Sequence, residues 1–348
     1  MIRDLVVSDV TTAGRILAAL PEAVLAVGSN DRIIEVNAAA QSLFPALRVG
    51  APLARILRSP DILDAIDQVR FTGDAGRAIW LERVPVERVF DVHIAPLVLD
   101  FEPVVILYFR ETSESRRLER MRVDFVANAS HELRTPLSSL LGFIETLQGP
   151  ARNDPDARTR FLEIMREQAR RMARLVDDLL SLSRIEQHLH LQPQEPVDVT
   201  LVLRHIVDTL GPLADESRVE LDLDLDAPVV VSGDRDELLR VAENLIENAI
   251  KYGASDSLDK RVKISAISRD GDGIITVQDF GPGIAQEHLP RLTERFYRID
   301  ARQSRAKGGT GLGLAIVKHI VARHRGRMTI DSRKGFGATF RVMLPLHR

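Results

Sequence analysis

His131 is followed at once by Glu132, and Thr135 comes one helical turn later, in the run Phe125-Val-Ala-Asn-Ala-Ser-His-Glu-Leu-Arg-Thr-Pro-Leu137. A neutral imidazole is a competent nucleophile near pH 7, and an adjacent carboxylate can take its second N–H. Apolar residues recur at Val126, Leu133, Leu137, Leu140, Ile144 and Leu147, the spacing of one helix face. At ~100° per residue, His131 lies well away from Leu133, on the opposite side of that stripe. Asp124, Asn128, Thr135 and Ser138 share its face. A single histidine so placed also reads as an ordinary surface residue, so the rest of the chain decides.

Four clusters in the last third of the chain bear on that decision. In Glu243-Asn244-Leu-Ile-Glu247-Asn248-Ala-Ile-Lys251-Tyr252, the residues Asn244, Glu247, Asn248 and Lys251 share a helix face, with Val241, Leu245 and Ala249 opposite. Amide and carboxylate oxygens suit Mg²⁺, although a solvated polar face has the same pattern. In Thr276-Val-Gln-Asp279-Phe-Gly281-Pro-Gly283, a strand ends in a carboxylate and a two-glycine turn. Asp279 can accept from an exocyclic amine such as adenine N6, or simply cap the turn. Glu294-Arg-Phe296-Tyr-Arg298 is an aromatic and basic stretch. Lys307-Gly-Gly309-Thr-Gly311-Leu312-Gly313-Leu314 opens a helix, where free backbone N–H groups favour phosphate. It is neither a dinucleotide fingerprint nor a P-loop, because the third glycine and a Gly-Lys-Ser/Thr end are missing. Between Arg291 and Lys307 six cations face only Glu294 and Asp300, as a phosphate-facing lid needs.

The elements that must position these residues fall into three regions. Residues 13–110 alternate short strands and turns: Val24–Val27 and Ile33–Val36 form a hairpin, Asn37 starts a helix, and strands follow at Ile79–Val84, Val89–Ile94 and Val104–Phe109. Residues 113–190 read as two helices around the Gly149-Pro150 stop, the first a continuous rod into the His131 segment. Pro136 is expected to bend it. The second carries Phe161, Ile164, Gln168, Met172, Leu175, Leu179, Leu182 and Ile185 as a coiled-coil-like seam. Two helices bury two such stripes poorly, so a symmetric dimer forming a four-helix bundle is expected. A hairpin packed on another domain is the alternative. After a proline-marked linker at 191–197, residues 197–348 mix strands and helices as an α/β sandwich. The strands are expected near Arg218–Leu225, Val262–Ile267 and Ile274–Asp279, with a closing hairpin of Met328–Ile330 and Ala338–Leu344.

With 348 residues the chain has room for several cores, and 45% hydrophobic and 28% charged residues fit a globular protein. A net charge of −3 gives no general pull toward nucleic acid. The absence of cysteine excludes disulfides, thiolate metal sites, cysteine nucleophiles and thiol-forming flavin photosites. His93 reads as a core residue on a strand rather than a haem ligand. No run reaches the ~18 apolar residues of a membrane span, and no signal peptide opens the sequence. A cytoplasmic location is expected, at the inner face of the membrane if an N-terminal anchor precedes the sequence.

The His131 segment resembles the phosphoacceptor box of sensor histidine kinases of the HisKA group. The four later clusters, in their order, resemble the N, G1, F and G2 boxes of the Bergerat-type ATP-binding domain of the same enzymes. The first region is similar to a PAS sensor domain, through Glu35-Val-Asn-Ala-Ala-Ala40. Its exit, Phe109-Arg-Glu-Thr112, departs from the acidic-x-Thr ending because Glu111 and Thr112 are adjacent. Arg58-Ser-Pro-Asp-Ile-Leu63 and Phe296–His319 are similar to phosphate-regulon sensor kinases. The resemblance implies a multidomain α+β chain: PAS-like domain, dimeric helical hairpin and ATP-binding sandwich. It implies that His131 is phosphorylated, that Glu132 orients or deprotonates it, and that Thr135 positions water for dephosphorylation of a partner. Asn248 would ligate Mg²⁺ with support from Asn244, Lys251 would reach phosphate, Tyr252 would flank the base and Asp279 would read adenine. Gly281 and Gly283 would shape the pocket, Phe296 anchor the lid, and Gly309, Gly311 and Gly313 hold phosphates, with Lys307 and Leu312 in the same set. The implied partners are ATP, a response-regulator receiver domain and a second copy of the chain. An ATPase doing conformational work and a non-catalytic scaffold are the rival readings.

Overall fold

In the computed structural model of the chain, residues 12–82, 88–99, 102–225, 227–253, 259–300, 304 and 307–347 are described. They belong to two compact units, Met1–Asp124 and Phe125–Arg348. The first contains α1 (Thr12–Ala18), β1 (Ala23–Gly28), β2 (Ile33–Val36), α2 (Ala38–Leu43), α3 (Pro60–Thr72), β3 (Gly76–Glu82), β4 (Arg88–Leu99) and β5 (Glu102–Glu111). The strands form one antiparallel sheet in the order β2-β1-β5-β4-β3. Part of the expected strand Ile79–Val84 lies outside the described residues.

Alternation decides which side of this sheet is filled. Phe90, Val92 and Ile94 of β4 and Leu107 and Phe109 of β5 point into a core closed by α2 and α3. Phe44, Trp80, Phe90 and Phe109 interlock there, with ring centroids 4.8 to 6.1 Å apart. The same alternation corrects the reading of His93 as a core residue. It falls on the opposite face, half-buried, 3.6 Å from Asp91 and beside Tyr108. Asn37 is the hub of the N-terminal end: Oδ1 accepts from Val24 N and Ala40 N, and Nδ2 donates to the carbonyls of Leu17, Leu20 and Glu22.

Helix α4 (Ser113–Gln148) continues from the first unit into the second, through Pro136, and is followed by α5 (Pro155–Gln187). Then come β6 (Pro196–Asp198), α6 (Val199–Ser217), β7 (Glu220–Asp224), β8 (Val230–Ser232), α7 (Arg235–Asn248), β9 (Arg261–Arg269) and β10 (Asp272–Asp279). The last elements are α8 (Gly313–Arg323), β11 (Arg327–Ser332) and β12 (Ala338–Pro345). The main sheet runs β11-β12-β10-β9-β7, antiparallel except for the parallel pair β7 and β9. Val262 and Ile264 of β9, Ile275 and Val277 of β10 and Phe340, Val342 and Leu344 of β12 meet the buried faces of α6, α7 and α8. The resulting layer of helices on a sheet is the expected α/β sandwich.

The expected seam on α5 divides between two surroundings. Leu175, Leu182 and Ile185 are buried in the same core as the sandwich. Farther along the hairpin Leu137, Leu141, Ile144 and Leu162 are 37 to 53% exposed. One end of the hairpin therefore packs on the sandwich, as in the alternative above, while the rest leaves apolar surface uncovered within one chain.

Fully buried His324 closes the far end of the sandwich. Its Nδ1–H donates to the Ile320 carbonyl at 2.8 Å, and Nε2 accepts from Asp234 N at 3.0 Å. Asp234 in turn caps α7. Burial lowers the His324 pKa from the ordinary value, against the opposing pull of the Ile320 carbonyl. A depressed folded-state value means that the unfolded chain binds the proton more tightly. This contribution is complete above the unfolded value of about 6.5 and is lost as pH falls through the lowered one. Thermal melts of the full chain between pH 8 and pH 5 should show the second unit weakening toward acid. His324→Gln should reduce that slope and cost about 1–3 kcal/mol at pH 7; an unchanged slope would place the acid sensitivity elsewhere.

Candidate functional site

His131 stands on the exposed side of α4, and among the described residues no hydrogen bond or ion pair reaches its ring. Thr135 Oγ1 donates to the His131 carbonyl at 3.2 Å. Glu132 is in a different situation. Arg298 grips both its oxygens, Nη1 to Oε1 at 3.1 Å and Nη2 to Oε2 at 3.0 Å, and Arg171 of α5 donates to Oε2 at 3.2 Å. The Arg298 side chain is only 7% exposed. Its Nη2 also donates to the Thr310 carbonyl at 2.6 Å, while Nε is buried without a partner among the described residues. A planar guanidinium suits such two-pronged pairing, and breaking a pair this buried strands a charge.

The nucleotide-type clusters assemble behind this pair. On α7 the apolar Val241 and Leu245 are buried, and Asn244, Glu247 and Asn248 occupy the other face. Asn244 Nδ2 donates to the Arg240 carbonyl at 2.8 Å, and its Oδ1 presses so close to Gly313 that a side chain there would collide with it. Asn248 is half-buried, and among the described residues no hydrogen bond engages its amide. Lys251 is paired with Glu247 at 2.7 Å. The helix widens into a π-turn at Ala249–Gly253, which carries Tyr252 past the end of α7.

Asp279 ends β10 almost fully buried. Its Oδ1 accepts from Gly281 N at 3.0 Å and Ala338 N at 3.2 Å, which leaves Oδ2 to accept from another donor. Burial raises its pKa, and the two backbone donors oppose that shift. Gly281 is required by close approach: a Cβ there would overlap the backbone of Gly253. Gly283 follows with a φ of +66°.

The lid and glycine run fold over Tyr252. Its hydroxyl lies 3.0 Å from Ser304 Oγ and against Gly309, and the Lys307 ammonium sits 5.5 Å from its ring and donates to the Lys251 carbonyl. Phe296 adopts a φ of 62°, uncommon for a bulky residue. Its N–H bonds the Gly311 carbonyl at 2.8 Å, and its ring lies 5.9 Å from Phe125 of α4. Leu312 is completely buried in the core, and a ligand could meet only its backbone, whose N–H now donates to Thr310 Oγ1 at 3.3 Å. Part of the basic lid, residues 301–303 and 305–306, lies outside the described residues.

Sequence reasoning passed over the residues of α5 that meet this site. Asp178 accepts from Thr310 Oγ1 and from Arg240 Nη2, both at 2.7 Å. Glu186 pairs with Arg295 and lies 3.5 Å from His319 Nε2. Burial lowers the His319 pKa, and Glu186 opposes that shift. Arg171, Asp178 and Glu186 recur about two turns apart beside the apolar seam, which is the signal that could have identified them.

Comparison with known proteins matches residues 121–188 to the "His Kinase A (phospho-acceptor) domain" and residues 233–348 to the "Histidine kinase-, DNA gyrase B-, and HSP90-like ATPase". The phosphate regulon sensor protein PhoR of Pseudomonas aeruginosa is 35% identical over 333 residues, which cover 93% of this chain and 72% of that one. The sensor-like histidine kinase SenX3 of Mycolicibacterium smegmatis is 39% identical over 240 residues, 69% of this chain and 62% of that one. Among solved structures, the histidine kinase AdeS of Acinetobacter baumannii aligns with a TM-score of 0.50 at 28% identity, over 63% of this chain and 98% of its own. The histidine kinase ThkA in complex with the response regulator TrrA aligns with a TM-score of 0.52 at 20% identity, over 95% and 97%, a likeness of fold.

Proposed function

The chain belongs to the sensor histidine kinases, and from that premise we propose that its second unit phosphorylates His131 from ATP and passes the phosphoryl group to an aspartate of a response-regulator receiver domain. The observation that carries this reading is the Arg298–Glu132 pair, which joins the nucleotide lid to the residue beside the nucleophile. A His131 ring nitrogen attacks the γ-phosphorus in line, the bond to the β,γ-bridging oxygen breaks, and ADP leaves. Glu132 takes the proton from the other ring nitrogen. Thr135 aligns water when the same helix removes phosphate from the partner.

Asp279 Oδ2 accepts from the adenine amine, Tyr252 flanks the base, and Gly281 and Gly283 keep the pocket open to a flat ring. Gly309, Gly311, Gly313 and the Leu312 backbone receive the phosphates at the start of α8, and Phe296 anchors the lid. Lys307 and Lys251 reach the phosphates after leaving their present partners. The unengaged Asn248 amide beside Asn244 fits a hard cation, and Mg²⁺ held there would neutralise phosphate charge.

The docked arrangement is a resting one. Both Glu132 oxygens accept from arginine, three hydrogen bonds in all, so Arg298 and Arg171 compete with His131 for the carboxylate. Transfer requires Arg298 to release it. The uncovered apolar residues Leu137, Leu141 and Ile144 support a homodimer in which two hairpins form a four-helix bundle. The first unit, with its β2-β1-β5-β4-β3 sheet, is read as a PAS-like sensor. The three functional regions are then residues 13–110, 113–190 and 197–348. Likeness to PhoR supports a role in phosphate-limitation signalling, in the cytoplasm or at the inner face of its membrane. Among the described residues no helix is long and apolar enough to cross a membrane.

Incubation with γ-labelled ATP and Mg²⁺ should give an acid-labile, alkali-stable label on the wild type. His131→Gln should abolish the label while ATP still binds, and Asp279→Asn should abolish both. Label surviving in His131→Gln would move the acceptor elsewhere. In sedimentation the chain should run as a dimer that Leu137→Glu with Leu141→Glu splits; a wild-type monomer would contradict the bundle.

A further inference from the structure

The proposed phosphate loop is short of available positive charge in the docked arrangement. Lys251 is held by Glu247, Arg298 by Glu132, Arg240 by Asp178, and Lys307 by the Lys251 carbonyl. A nucleotide's terminal phosphate needs at least one cation that can turn to it. Helix α5 provides one. Arg174 lies one turn beyond Arg171 and one turn before Asp178, on the face that meets the lid and glycine run. Its guanidinium rests on the backbone of Gly308, where a Cβ would stand 2.9 Å from Nη2. Gly308 takes a φ of +70° and begins the run of glycines that leads into α8. Among the described residues Arg174 has no hydrogen bond or ion pair, and it is exposed.

An exposed arginine is ordinarily a solvated surface charge. This one differs in being laid against Gly308, at the head of the glycine run that leads into α8, and a helix start favours anions. We propose that Arg174 is a nucleotide ligand: it binds the terminal phosphate from outside the ATP-binding sandwich while α5 is docked on it. The inference rests on reading residues 307–314 as the phosphate loop. It makes nucleotide affinity and docking reciprocal, so that a bound terminal phosphate holds α5 against the loop and release of α5 loosens that phosphate.

The test is calorimetric titration of the full chain with ADP in Mg²⁺ and, separately, with adenosine. Arg174→Ala should weaken ADP about three- to tenfold, the range of one partly exposed charge-assisted contact. Arg174→Lys should retain most of the affinity, and the loss in Arg174→Ala should shrink as salt rises. Adenosine should bind wild type and Arg174→Ala alike, which also shows that the variant is folded. Equal ADP affinity in wild type and Arg174→Ala at low salt would overturn the assignment of Arg174 alone. Failure of wild type to bind either adenosine or ADP would overturn the nucleotide reading and this inference with it.

Discussion

A carboxylate beside the nucleophile, held by two arginines, organises the second unit. Glu132 lies between Arg298 from the lid and Arg171 from α5, and the Arg298 side chain is 7% exposed. Coulombic attraction at such a site is strong because water screens it poorly, and desolvation makes either charge costly to leave alone. The pair therefore does two things at once. It fixes residues 295–298 on the helical hairpin, and in the proposed mechanism it competes with His131 for the carboxylate. If Glu132 is the base, as proposed, its capture by Arg298 ties chemistry to domain movement without any third component.

Helix α5 supports that arrangement as a ruler. Arg171, Asp178 and Glu186 address Glu132, Thr310 and Arg295 in turn, while Leu175, Leu182 and Ile185 supply apolar burial on the same side. Burial is nondirectional and supplies most of the attraction; the ions set the register. Where α5 and α4 run beyond the sandwich, their apolar residues are left for another surface. The same hairpin thus packs one end on the sandwich and leaves the other with the apolar surface that the proposed dimer would cover.

Much of this was legible in the sequence, for identifiable reasons. His131, Glu132, Asn244, Asn248, Asp279 and the glycine run lie in local patterns whose spacing survives folding. Strands β9, β10 and β12 alternate cleanly because one face is buried. Helix α6 was passed over: its apolar spacing is regular, but Gly211-Pro212 reads as a break where the helix in fact continues. His93 was misplaced because its strand alternates and only one face of the sheet is core. The Arg298–Glu132 pair spans 166 residues, and no local spacing reports such a contact. The C-terminal half of the seam on α5 could not be assigned because apolar periodicity says that a face is covered, not by what.

The central claim is that the docked arrangement is a resting state that must open before His131 is phosphorylated. The sequence contains no cysteine, so one introduced pair can be linked without ambiguity. Asp178 and Thr310 touch across the docking surface, with Oγ1 and Oδ2 2.7 Å apart. In a chain carrying Asp178→Cys and Thr310→Cys, the measurement is His131 labelling by γ-labelled ATP before and after a short thiol-specific cross-link. Strong loss of label in the linked chain, with ATP still bound and the unlinked variant active, is the predicted result. Equal labelling of linked and unlinked protein would show that transfer proceeds in the docked arrangement, and would contradict the account.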